Sequence, residues 1–128
     1  MKYLTDYTEE GLTDILYRLG AFFAFNKEQF AKEEKEGVKY VSMGAGLICP
    51  RDNVKQLIEE MDGNYKKGIE TDLKENGKEN IIKRELENHE CYYQYDVEPA
   101  IRALAGYDIT DAEVRKIFCN KTSNHYDD

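Results

Sequence analysis

Apolar residues recur at helical spacing through much of the chain. Leu12, Ile15, Leu16 and Leu19 stand at i, i+3, i+4 and i+7, behind Thr8 and the acidic pair Glu9–Glu10. A threonine N-cap with carboxylates in the first turn marks a helix start, because the acids face the positive helix end. Gly20 is its stop. Residues 21–25, Ala-Phe-Phe-Ala-Phe, read either as a continuing helix or as a buried strand; the aromatics and the preceding glycine favour strand. Asn26 with Gln29 resembles a capping box and opens a helix over Lys27 to Glu36, which has only Phe30 and Ala31 as apolar anchors and ends at Gly37.

Val38, Tyr40 and Val41 begin a strand, and Leu47-Ile48-Cys49 follows a Gly44-Ala45-Gly46 turn. Two apolar runs around such a turn predict a β-hairpin, with a single strand bent at its glycines as the alternative. Val54, Leu57, Ile58 and Met61 repeat the helical stripe after Asn53; this helix passes Gly63 and Gly68 and stops at Asn76-Gly77. Ile81, Ile82, Leu86 and His89 share the next helical face, extended by Tyr92 or Tyr93. Asp96 caps a helix with Pro99 in its first turn and Val97, Ile101 and Leu104 inside, ended by Gly106. Thr110 and Glu113 form a capping box for a last helix, with Val114, Ile117 and Phe118 as its apolar face. The expected fold is α+β: a predominantly helical single domain over residues 1–119 with a small β-hairpin or short antiparallel sheet, and a frayed polar tail over 120–128.

Composition narrows the function classes. The 128 residues are 41% hydrophobic and 34% charged, too apolar for a disordered acidic chain. The formal net charge is -8, which argues against a basic nucleic-acid binder and against attachment to anionic lipid by charge. No apolar run follows Lys2 as in a secretory leader, and no stretch approaches the roughly 18 residues of a membrane span, so the expected location is the cytoplasm, the cytosol of a host cell. Cys49, Cys91 and Cys119 stand singly, as reduced thiols packed as small core residues.

Candidate chemistry concentrates in residues 85–93. Glu85 and His89 lie i, i+4 on one helix face, where they could ligate a metal or pair an imidazole with an orienting carboxylate, with Glu90 nearby. Two ligands do not make a metal site, and the other histidine, His125, lies in the tail. The packing alternative is a His89 at the core edge, donating to Glu85 or to a carbonyl. The Gly44-Ala45-Gly46 turn lacks the third glycine and following helix of a dinucleotide loop, and no P-loop, HExxH or GxSxG pattern occurs. No cofactor is expected.

The late tyrosines are the stronger signal. Tyr92, Tyr93, Tyr95 and Tyr107 lie near the largest local acidic excess. Tyrosine suits interface cores, although at helical spacing only one of Tyr92 and Tyr93 faces inward. The expected partner-binding residues are Tyr92, Tyr93, Tyr95, Asp96, Glu98, Asp108, Asp111 and Glu113, with phenol anchors and carboxylates that pair with lysine or arginine of a target.

Phe22 to Phe30, Tyr40 to Pro50 and Glu85 to Tyr93 together resemble a family of small bacteriophage and prophage proteins that carries no known activity. The resemblance spans roughly residues 20–107 and implies a small acidic protein of a mobile element. Such accessory proteins are often inhibitors of host machinery, anti-CRISPR and other anti-defence proteins among them. The leading expectation is an inhibitor that occupies the basic groove of a host nucleic-acid-handling defence protein, without binding nucleic acid or membrane itself. The alternatives are a small metal-dependent or His/Glu enzyme centred on Glu85 and His89, and a homo-oligomeric phage structural or regulatory protein.

Overall fold

The computed structural model describes the backbone of residues 1–126 and the side chains of residues 1–121; Asp127 and Asp128 lie outside the described residues. The protein is α+β and predominantly helical, with one small antiparallel sheet. The chain gathers into two compact units, Thr5–Gly68 and Met1–Leu4 with Ile69–Asp128.

The first unit holds α1 (Leu4–Leu19, from Thr5 on), β1 (Phe22–Phe23), α2 (Lys27–Glu33), β2 (Tyr40–Gly44), β3 (Leu47–Pro50) and the start of α3 (Val54–Asn76). Its core is Ile15, Leu19, Ala21, Leu47, Cys49 and Leu57. The helix α1 begins at Leu4, ahead of the Thr8 cap expected from sequence, and Thr8 lies inside it. The Thr8 carbonyl accepts a hydrogen bond from Asn64 Nδ2 at 2.9 Å. Gly11, one turn on, leaves the room Asn64 needs: a Cβ there would collide with the amide. The helix stops at Gly20, φ 71°, as expected.

Residues 22–23 are a strand, and the sheet order is β1-β3-β2. Phe22 pairs with Ile48 and Phe23 with Leu47; Tyr40, Val41 and Ser42 face Pro50, Cys49 and Ile48, with a bulge between Ser42 and Gly44. The turn glycines Gly44 and Gly46 have φ 94° and 82°, a region open to glycine at no steric cost. Asn26 caps α2 by accepting from Gln29 N–H at 2.9 Å, and Gln29 Oε1 accepts from Phe25 N–H at 2.7 Å. The reciprocal bond thus reaches one residue further back than in a standard capping box.

The second unit holds the end of α3, then α4 (Lys78–Asn88), α5 (Cys91–Gln94), α6 (Glu98–Ala103) and α7 (Asp111–Tyr126). Its core joins Ile69, Ile81, Ile82, Leu86, Cys91, Val97, Ala100, Leu104, Tyr107 and Val114. Thr110 caps α7 by accepting from Glu113 N–H at 3.2 Å. The helix continues to Tyr126, through most of the segment expected as a frayed tail. Cys49 and Cys91 are buried, and burial pushes both thiols up; Cys119 is exposed, contrary to the expectation of three core cysteines.

Candidate functional site

In the second unit, two groups of side chains carry chemistry. The first is interior. Asp72, fully buried on α3, takes both ends of the Arg84 guanidinium: Nη1 donates to Oδ1 at 2.9 Å and Nη2 to Oδ2 at 3.0 Å. The Tyr107 hydroxyl donates to Asp72 Oδ2 at 2.6 Å, and Asn76 Nδ2 to Oδ1 at 2.7 Å. Arg84 Nε donates to Glu85 Oε1 at 2.9 Å, Nη1 also donates to the Lys2 carbonyl at 2.9 Å, and the guanidinium sits 5.6 Å from the Tyr3 ring centroid. Glu85 Oε2 is 3.3 Å from His89 Nε2.

Burial alone would raise the Asp72 carboxyl, but hydrogen bonds from Arg84, Tyr107 and Asn76 outweigh it and hold it below the usual range. Burial opposes the Arg84 charge in the same way, and Asp72 and Glu85 overcome it. The Tyr107 phenol is pushed up by burial and by the carboxylate beside it. Asp72 therefore accepts four hydrogen bonds and Arg84 is committed to two carboxylates and a carbonyl, an arrangement suited to holding α3, α4 and the first residues of the chain together.

Glu85 and His89 meet as their spacing predicted, but Glu85 is buried and already bound to Arg84. Among the described residues, no three of His, Cys, Asp and Glu converge as metal ligands do.

The second group is at the surface. Between the buried Cys91 and Val97, the residues Tyr93, Gln94, Tyr95 and Asp96 are all exposed, Tyr93 by 86% and Tyr95 by 64%. They form a lip at the end of the single turn α5, which is flanked by two left-handed residues that are not glycine, Glu90 at φ 54° before it and Tyr95 at φ 53° after it. Each such residue costs about 1 kcal/mol or more, so the surrounding contacts must impose it. They do so through backbone bonds: Tyr93 and Gln94 N–H donate to Glu90 O, and Asp96 N–H donates to Cys91 O. Asp96 Oδ1 in turn accepts from Glu98 N–H at 3.0 Å, so it caps α6 across the half-helical Val97.

The other residues expected at a binding face divide. Tyr92 turns inward, stacked on Phe118 with centroids 5.1 Å apart, and Lys121 lies over its ring at 4.3 Å. Glu98 pairs with Arg115 at 3.0 Å and Glu113 with Lys78 at 3.3 Å. Asp108, ahead of α7, and Asp111, its first residue, are exposed. Tyr107 is interior. Sequence reasoning missed Asp72, Arg84 and an aromatic pair in the first unit. There Phe23 and Phe25, 48% and 71% exposed, stack at 6.3 Å, and the Phe25 ring lies against Gly46. The alternation Phe23-Ala24-Phe25 carried that signal, since i and i+2 share one side of an extended chain.

This arrangement defines a small helical α+β protein whose most polar cluster is satisfied internally and whose unusual surface is aromatic. The chain belongs to a family of unknown function (DUF7659), whose model matches residues 4–124. No curated protein and no solved structure matches the chain. No helix among the described residues is long and apolar enough to cross a membrane.

Proposed function

We propose that this protein works by stoichiometric binding to another protein, with the lip Tyr93–Asp96 at the centre of the contact. The observation that carries the reading is the pair of exposed tyrosines held on a turn with left-handed residues at both ends. Tyrosine gives a large contact area for little side-chain entropy, and a backbone turn already held by its own hydrogen bonds loses less on binding. Asp96, Asp108 and Asp111 place carboxylates in the same region of sequence, and with a chain charge of -8 they favour a basic partner. A host nucleic-acid-handling defence protein offers such a surface in its phosphate-binding groove, and the resemblance to phage proteins makes inhibition of that protein the proposed outcome. Tyr92, Glu98 and Glu113 act from behind the contact, through their internal pairs.

Affinity capture from a lysate of the bacterial host, read by mass spectrometry, should recover a nucleic-acid-handling protein. The double variant Tyr93→Ala, Tyr95→Ala should weaken that complex by about thirtyfold or more, the scale of losing a hot spot, with its thermal melt unchanged. Capture that is equal for the folded double variant, or that recovers no such protein, refutes the reading. The enzyme reading keeps one observation, the 3.3 Å approach of His89 to Glu85. Turnover of a small compound that disappears in His89→Ala would put it first.

A further inference from the structure

We infer that the outer edge of β2 is a self-association surface, at which two copies of this chain pair their β2 strands antiparallel about a two-fold axis through Val41. The register fixes where each backbone group points. Arg51 N–H donates to the Lys39 carbonyl at 2.8 Å, and Val41 lies opposite Cys49. Hydrogen-bonded positions alternate along an antiparallel strand, so Lys39 and Val41 turn their backbone groups toward β3. Tyr40 lies opposite Pro50, which has no N–H to give, and Ser42 follows two residues later. The N–H and C=O of Tyr40 and Ser42 therefore point away from the sheet. About an axis through Val41, Tyr40 of one copy meets Ser42 of the other, twice over, and forms four hydrogen bonds. The two Val41 side chains then meet at the close, non-hydrogen-bonded spacing of about 4.5 Å between Cα atoms.

Charge selects a second copy as the occupant. Residues 21–50 carry four lysines, four glutamates and no other ionised side chain, so the whole excess of -8 lies outside them. Two acidic molecules repel each other over most of their surfaces but not at this segment, where the mixed Lys and Glu positions around α2 can pair across an axis. The edge also lacks the charged and proline guards of an edge strand. No charge or proline interrupts Tyr40–Gly44, Ser42 is exposed, and Val38 and Val41 are 39% and 37% exposed. The bulge after Ser42 ends the flat stretch, and the two-fold uses up the β2 edge of each copy, so pairing closes on a dimer of one six-stranded sheet.

Sedimentation velocity on the full chain over a range of concentrations tests this. The wild type should show a monomer–dimer equilibrium. Val41→Lys sets two ammonium groups against each other across the axis and should raise the dissociation constant at least about tenfold. Ser42→Pro removes an outward donor and no bond to β3, and should do the same. Tyr17→Lys, the same new charge on an exposed position of α1, should leave the equilibrium in place. Circular dichroism reports which variants are folded, and Ser42→Lys replaces any that is not. A wild type that stays monomeric at hundreds of micromolar overturns the inference. So does a dimer that survives the folded edge variants, or one that Tyr17→Lys disrupts equally.

Discussion

Asp72 is a carboxylate with no solvent exposure that remains ionised because four donor hydrogens converge on it. A buried ion pair adds little net stability over a well-packed apolar replacement, but removing one partner strands the other charge. Asp72→Ala should therefore cost about 3–5 kcal/mol in urea unfolding. The pH dependence follows from the direction of the shift. A carboxyl held below its ordinary 3.8 contributes its full stabilisation above that value and loses it as the pH falls through the lower, folded-state value. Acid titration of the unfolding free energy should thus fall below about pH 4, and Asp72→Asn should flatten that limb. None of this was legible in the sequence. Asp72 reads as one polar position on a long helix; Asn76 is a turn away, but the partners that matter most, Arg84 and Tyr107, lie 12 and 35 residues away, beyond the reach of any local period. The Glu85–His89 contact was legible, because both residues sit on one helix.

Elements were read best where the signal is local to a few residues. Asn26 and Gln29 mark the start of α2 through bonds made within four residues. The Gly44-Ala45-Gly46 turn announced the hairpin because its backbone needs positive φ at all three positions. The stripe from Val54 carried α3 across Gly63. The start of α1 was misplaced for a physical reason: Thr8 acts there through its backbone carbonyl and Gly11 by being small, and neither carries an apolar signal. Gly11→Ala should cost about 1–3 kcal/mol by chemical denaturation, since its methyl displaces Asn64 from the Thr8 carbonyl. An Asn64→Ala background should recover most of that loss, which separates the steric clash from a simple propensity effect.

At the level of the whole molecule, charge was the most legible property and position the least. The acidic excess could be counted, but its absence from residues 21–50 gains meaning only once those residues form a sheet with open edges. The two proposed surfaces differ accordingly, one aromatic and acidic, the other an uncharged strand edge.

The bond from Arg84 to the Lys2 carbonyl spans 82 positions of sequence. On the ribosome, the parts of the Thr5–Gly68 unit have all been translated before the residue that will hold Lys2 exists. The segment from Thr5 to Gly68 can therefore fold first, while Lys2 waits for Arg84 to be synthesised.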